Sequence, residues 1–302
     1  MAGFKNIRAW VDSATDDGKG WISVFRKVPA ATATIAGQWF DYSQGSGIPV
    51  PNYYASSPLV AARLDGGKGI WVPSVTPESM FLRKVVAMTA ASGVTVATSQ
   101  NQTLILLDYL LYYPFIDMDA SGEEQGLFNT LTLPRYTTGA GVKMMIVAQA
   151  PTVGGGNFTV RYTNQAGVEK TSPLTYCVAA QPSGGLVSAV TVAAGISPFI
   201  PLAEGDTGVR SIQGITMNVA NGGLAALVLV KVIETTYVRE ECRRPTSSPT
   251  ESYGDASELE RIRMLAGAPR VYDGAFLGFI GWTQAGSVAS APLVGFLETV
   301  WR

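Results

Sequence analysis

Few residues of this chain have types and spacings that could do chemistry. The 302 residues include no histidine and only two cysteines. A Ser-His-Asp or Cys-His catalytic set therefore cannot form, and neither can an imidazole site or a four-cysteine metal site. Cys177 and Cys242 could pair in a disulfide, but two separate thiols are the simpler interpretation.

One acidic segment resembles the first half of a calcium-binding loop. Asp117, Asp119 and Ser121 alternate and are followed by Gly122, but Phe128 stands where such a loop needs a bidentate glutamate. We therefore interpret the segment as a solvated acidic turn. A pair of carboxylates for glycoside hydrolysis stays open as an alternative, because a sequence shows no distances. We predict a non-enzymatic protein with no catalytic residue, no metal and no cofactor.

Two glycine clusters invite comparison with phosphate-binding loops. The first, 45–47, has no third glycine at the spacing of a dinucleotide site. The second, 66–69, includes Lys68 but lacks both the spacer of a phosphate loop and the Ser or Thr after the lysine. Both clusters are predicted to be turns.

The charge is low for a chain of this length. Its 22 basic and 23 acidic residues amount to 15% of the chain, against about 25% in a typical soluble domain. The mean hydropathy is +0.19, and the net charge of -1 gives no broad positive field, so we expect no nucleic-acid partner. Low charge predicts a surface partly buried against other chains; the alternative is a monomer covered with small polar residues.

No segment has the pattern expected of a membrane span. The apolar stretches 104–115 and 224–233 contain charged residues or proline and are shorter than the ~20 residues that a spanning helix needs. The first residues lack the apolar core of a secretory signal. We expect neither a membrane segment nor a signal peptide.

Residues 79–238 have the pattern of a β domain. Phe158, Val160 and Tyr162 alternate with polar residues, as in a half-buried strand, and 224–230 is apolar on both faces. Further strand candidates are Lys84–Thr89, Leu104–Tyr113, Leu127–Leu133, Val142–Ala148, Leu174–Ala179, Leu186–Val192 and 215–219. Short strands separated by turn residues predict a mainly β fold, an antiparallel β-sandwich that is jelly-roll-like.

The flanking segments predict additions to the sandwich. Residues 1–78 would form a hairpin of strands Phe4–Val11 and Trp21–Val28, then an extended arm rich in proline, glycine and aromatic residues. Residues 239–302 would form a charged linker, a short helix from Asp255 to Gly267, and a hairpin of strands 271–282 and 293–301. We expect this terminal hairpin to pair with the N-terminal one near Trp21.

The arm holds the candidate contact residues. Aromatic side chains on a proline-stiffened chain lose little entropy on docking, which suits contact with a neighbouring subunit. The alternative is a loop that folds back onto its own sandwich. The candidate partner-contact residues are Trp39, Phe40, Tyr42, Pro49, Pro51, Asn52, Tyr53, Tyr54 and Leu59.

Two segments carry a resemblance to a known class of proteins. Segment 37–59 (GQWFDYS, then GIPVPNYYASSPL) and segment 158–168 (FTVRYTNQAGV) resemble stretches of virion structural proteins of tailed bacteriophages. The likeness is to minor head and capsid-decoration proteins in particular, and it rests on short motifs that cover a small part of the chain.

The resemblance implies a structural role in the virion, after assembly in the host cytoplasm. The partners would be the major capsid protein lattice and copies of the protein itself, expected as a homotrimer on a threefold position of the head. Two alternatives stay open at this point. The protein could be a tail or neck component, or a carbohydrate-binding jelly roll that attaches the particle to its host.

Overall fold

The computed structural model describes residues 4–29, 35, 37–64, 66–92, 102–177, 180–187, 197–238, 251–253, 257–260, 268–283 and 292–302. Within these ranges the chain is mainly β, and its strands pair antiparallel, which confirms the predicted fold class. The α-helix is α1 (Ile7–Thr15). The strands are β1 (Gly20–Val28), β2 (Trp39–Asp41), β3 (Ser46–Ile48), β4 (Ala62–Arg63), β5 (Met80–Ser92), β6 (Gln102–Asp117), β7 (Glu124–Gly126), β8 (Val142–Ala148), β9 (Asn157–Asn164), β10 (Glu169–Thr171), β11 (Thr175–Tyr176), β12 (Val209–Val219), β13 (Leu224–Val238), β14 (Glu251–Tyr253), β15 (Ser257–Glu260), β16 (Arg270–Val271), β17 (Phe276–Thr283) and β18 (Leu293–Trp301).

These strands form three sheets. Sheet I has the order β14-β5-β18-β1-β3, with β15 and β16 also pairing with β5. Sheet II has the order β2-β17-β6-β13-β8, with β4 pairing with β6. Sheet III has the order β10-β9-β12-β7, with β11 pairing with β9.

Sheet II lies at the centre of the molecule because its two long strands, β6 and β13, are buried on both faces. Towards one end, Leu227 and Leu229 pack with Phe158 and Val160 of sheet III in one apolar core. Towards the other end, Leu106 shares a second core with residues of sheet I. Apolar residues on both faces are typical of a strand that is covered on both sides.

The opposite face of sheet II is covered by the segment predicted to be an arm. Tyr54 and Leu64 pack there with Tyr109 and Val228 in a third core. The segment contains three short strands, β2, β3 and β4. It is therefore part of the body of the molecule and not a free extension.

The N-terminal hairpin prediction was wrong in its first half. Residues 7–15 form α1, whose N-cap is Asn6: its side-chain oxygen accepts a hydrogen bond from the Ala9 N–H at 2.8 Å. The buried Trp10 packs with Phe81 and Val300 on one face of sheet I. The capping residue and the helical spacing of Ile7, Trp10, Val11 and Ala14 were visible in the sequence.

The predicted C-terminal helix is also wrong where the structure describes it. Residues 257–260 form β15, in which Glu258 lies opposite Val86 of β5; the rest of the predicted helix, including Asp255 and Gly267, lies outside the described residues. The edge of β5 offers ladder hydrogen bonds, and these outweigh local capping signals, because a short isolated helix is marginal.

The two C-terminal strands form, but not as a hairpin. β17 lies between β2 and β6 in sheet II, whereas β18 lies between β5 and β1 in sheet I. Each is thus placed centrally in a different sheet. The expected pairing of the terminal strand with the segment near Trp21 is confirmed, because Trp21 of β1 lies opposite Thr299 of β18.

Among the other strand candidates, Leu127–Leu133 is wrong. The strand of this region is β7, which ends at Gly126, and Phe128 makes only an isolated bridge to Val60. Leu127 and Leu133 contribute to the sandwich core although both lie beyond the end of β7. Of Leu174–Ala179 only β11 is a described strand, and 188–192 lies outside the described residues.

Candidate interaction surface

A buried carboxylate fixes the first part of the predicted arm. Asp41 is fully buried at the end of β2 and accepts hydrogen bonds from the hydroxyls of Tyr54, Tyr109 (2.7 Å) and Ser43 (2.9 Å) and from the Ser43 N–H (2.8 Å). Burial raises the pKa of Asp41 above its usual range, although these hydrogen bonds oppose the shift. Because three donors come from the arm and one from β6, the cluster fastens the arm to sheet II.

A buried lysine fixes the next part of the arm to sheet I. Lys27 of β1 donates hydrogen bonds to the backbone oxygens of Pro49 (2.8 Å) and Ser43 (3.3 Å). Burial lowers the pKa of Lys27 to about 8, and nearby Asp41 opposes this shift. In the adjoining strand β3, Gly47 has a φ of +126°, and a Cβ there would collide with the backbone oxygen of Arg26. Glycine is therefore required for β3 to approach β1 so closely.

The nine candidate contact residues divide by their exposure. Five are buried within this chain, namely Trp39, Phe40, Tyr42, Asn52 and Tyr54; three are half-buried, namely Pro49, Pro51 and Leu59; and Tyr53 is exposed. The buried side chains match the second interpretation of the sequence, a segment that folds back onto its own sandwich. Contact of the remaining residues with a partner stays a prediction.

An apolar surface lies beside this segment, along one side of β1. We call it the β1-edge patch and define it by six side chains, each between 40% and 68% exposed: Trp21, Ile22, Val24, Ile48, Val50 and Trp71. Trp21 and Trp71 pack edge to face, with ring centroids 5.1 Å apart. The patch lines a groove of about 430 Å³ together with Gly47, Pro49, Gly69 and neighbouring residues. Clustered exposed apolar side chains of this kind mark interaction sites.

The residue pattern of β1 already contained a signal for this patch, which the strand prediction did not use. In β1, apolar side chains occupy both faces, since Phe25 is buried while Ile22 and Val24 are exposed. A strand with one solvated face normally alternates apolar and polar residues. The apolar residues on the second face of β1 were thus the sequence signal for this exposed patch.

The acidic segment that resembles part of a calcium loop makes the hydrogen bonds of a turn. The side chains of Asp117 and Asp119 accept hydrogen bonds from the backbone N–H groups of Asp119 (2.9 Å) and Gly222 (3.1 Å), as expected of an acidic turn. Within the described ranges, no group of three or more Cys, Asp or Glu could hold a metal ion. Residues 66–68 form a single 3-10 turn.

The thiols and the charged linker are described only in part. Cys177 is buried, and burial raises the pKa of its thiol to about 12, which makes it a poor nucleophile. Cys242 and the charged linker that contains it lie outside the described residues. In the part of the chain that the structure covers, no helix is long and apolar enough to cross a membrane.

No protein-family model matches the chain, and no curated protein is significantly similar to it.

Proposed function

We propose that this protein is a non-enzymatic structural component of a bacteriophage particle, which binds and stabilises the capsid as a decoration protein. The observation that carries the proposal is the β1-edge patch, a cluster of exposed apolar side chains on β1 and the segments beside it. Such a surface lowers its free energy when another subunit covers it. The low charge of the chain and its resemblance to phage structural proteins support the same role.

The mechanism would be mass action on many equivalent sites. A protein that binds assembled capsomers more tightly than free ones stabilises the lattice by its binding free energy. The β1-edge patch and the exposed Tyr53 would supply the contacts between subunits. The buried anchors at Asp41 and Lys27 would hold these side chains in place before binding, which reduces the entropy lost on docking.

The test uses heads from particles that lack this protein. Purified wild-type protein should co-sediment with such heads and raise their melting temperature. The variant Val24→Glu places a charge in the β1-edge patch and should weaken this binding by at least about tenfold, because a buried unpaired charge is costly. Its matched control is Val153→Glu, at a site that is 74% exposed in the loop before β9, and it should bind like the wild type.

Two outcomes would overturn the proposal. Wild-type protein that fails to bind heads at micromolar concentration would exclude a decoration role. Protein that instead binds tail or neck assemblies, or host-surface glycans through Trp71, would assign it to the corresponding alternative class.

A further inference from the structure

Among the described residues, one side of β1 has no strand paired with it along most of its length. The Trp301 N–H donates to the Lys19 oxygen at 3.1 Å, so the backbone groups of the odd-numbered residues point towards β18, and those of the even-numbered residues point the other way. On that other side β3 pairs only with residues 26–28. No described strand pairs there with 20–25, and the backbone groups of Gly20, Ile22 and Val24 therefore face an open edge.

This edge lacks the features that normally protect an exposed strand. Natural edge strands carry lysine, proline or a bulge within the exposed stretch. Between Gly20 and Phe25 there is no charge and no proline, and the pairing with β18 runs without a register shift. The edge instead borders the groove of the β1-edge patch. It offers both backbone hydrogen bonds and apolar contacts, which is the pair of features that an added strand uses.

We propose that the open edge of β1 pairs with β1 of a second copy of this chain, antiparallel and around a two-fold axis at Ile22. This inference rests on the proposed role as an assembly protein and names the first partner of the β1-edge patch. In this register Ile22 lies opposite the partner's Ile22, and Val24 lies opposite the partner's Gly20. The product is a dimer with sheet I continuous across both copies, in place of the trimer expected from the sequence.

The limits of the open edge select this register. At one end β1 begins at Gly20, and at the other end the position opposite Arg26 is already taken by Ile48 of β3. Ile22 is the midpoint between Gly20 and Val24. Pairing around Ile22 therefore uses the whole open edge and leaves β3 in place, whereas a shift either loses a pair or displaces β3.

Charge complementarity supports a second copy as the occupant. The same register brings the exposed Arg26 close to the turn before β1 in the partner, where Asp16 and Asp17 are both exposed. Since the axis repeats each contact, both ends of the ladder join a cation to two carboxylates. Opposite charges at the ends of an apolar ladder favour this pairing over parallel or shifted ones.

In the proposed dimer, α1 of one copy covers exposed apolar side chains of the other. A Cβ on Gly20 would lie 3.2 Å from the Cα of Ala14, so α1 lies on the same face of sheet I as the side chains of Ile22 and Val24. In the dimer, Val24 lies beside the partner's Gly20 and therefore beside the partner's α1. Exposed apolar side chains of one copy are thus covered by the helix of the other.

The register is tested by cysteine cross-linking of the full chain. Ile22→Cys should form a disulfide-linked dimer under mild oxidation, because residues directly opposite in such a ladder have Cα atoms about 5.5 Å apart, within disulfide range. Val24→Cys is the matched control: its two copies would lie four residues apart along the strand, about 13 Å, and should not cross-link. The wild type under the same oxidation controls for Cys177 and Cys242.

A charge swap at Ile22 tests the pairing without covalent cross-linking. Ile22→Lys and Ile22→Glu should each be monomeric, with dimer dissociation constants raised at least about 100-fold, since like charges would meet on the axis. An equimolar mixture of the two should form a heterodimer. Ile22 is already exposed in the single chain, so both variants should fold and melt like the wild type.

The outcomes separate this inference from the proposed function. Wild-type protein that stays monomeric up to ~100 μM would overturn the pairing, as would a dimer that Ile22→Cys fails to cross-link or that persists in Ile22→Lys. A ladder formed with a foreign apolar peptide in place of a second copy would also overturn it. If a monomer binds heads, the pairing is refuted but the decoration role is not. If a cross-linked dimer does not bind heads, only the decoration role is refuted.

Discussion

The buried ion pair between Asp108 and Arg135 gives the sharpest prediction about stability. Arg135 donates to both carboxylate oxygens of Asp108, at 2.6 and 2.8 Å, and to the backbone oxygens of Tyr109 (3.0 Å) and Gly274 (2.8 Å). The two side chains are only 7% and 1% exposed. Arg135→Met keeps most of the volume but leaves the carboxylate unpaired inside the protein.

The expected loss is large because a buried charge without its partner is poorly solvated. Breaking a buried pair in this way costs about 3–5 kcal/mol. With an unfolding entropy of about 2.1 cal/mol/K per residue, a chain of 302 residues should lose about 5–8 °C in Tm. The matched control is Arg161→Met: Arg161 also forms a two-bond contact, with Glu124, but is 38% exposed. That change should cost less than about 1 kcal/mol.

The loss should also depend on pH. Burial raises the pKa of Asp108 to about 6, and the Arg135 guanidinium opposes this shift. Because the folded pKa lies above the unfolded one, the stability contributed by Asp108 is full below about pH 4 and is lost as the pH rises through 6. Without Arg135, the pKa of Asp108 should rise further. Each added pKa unit lowers the free energy of unfolding by about 1.4 kcal/mol at pH 8 and leaves it unchanged at pH 4.

The assay is urea unfolding of both variants at pH 4.5 and pH 8. Arg135→Met should be more destabilised at pH 8, and adding Asp108→Asn should remove most of that pH dependence. A loss below 1 kcal/mol at pH 8, or a loss that is equal at the two pH values, would refute the assignment of this pair as a buried, desolvated contact.

Two further changes test the contacts that hold the β1-edge patch in place, and a third tests the N-cap of α1. Tyr54→Phe removes one donor to Asp41 and should destabilise the protein by about 1–3 kcal/mol in thermal unfolding; an unchanged Tm would contradict the role of the cluster. Gly47→Ala should release β3 from β1, seen as faster hydrogen exchange of the Arg26 and Val28 amides, which face β3, with the β18 amides unaffected. Asn6→Ala should cost about 1 kcal/mol of stability through the lost helix cap, while Asn6→Asp should retain it.

Local sequence information was sufficient where a strand pattern was strong. The alternation in β9 and the apolar run of β13 were both predicted, because a period of two residues and burial on both faces are properties of the strand itself. The helix α1 was missed although Asn6 and the spacing of Trp10 from Ile7 are local signals. The segment was predicted to be a strand because the aromatic and β-branched residues of α1 also suit a strand.

The contacts of the arm could not be predicted in the same way. Its aromatic residues suggested docking, but whether they dock on this chain or on another depends on long-range geometry. Asp41 meets Tyr109 across 68 positions of sequence, and no local pattern encodes that distance. The tertiary structure therefore turned most of the predicted contact residues into core residues.

The sequence by itself determined the fold class, because strand periodicity, turn residues and the scarcity of helical patterns are local properties. It also determined that no histidine chemistry takes place here. Only the tertiary structure decided which edge is open and which apolar residues are exposed. β17 and β18 have similar apolar patterns, yet they lie in different sheets. The free energy that separates such arrangements comes from contacts between distant segments, and so the surface left for a partner is a property of the folded chain.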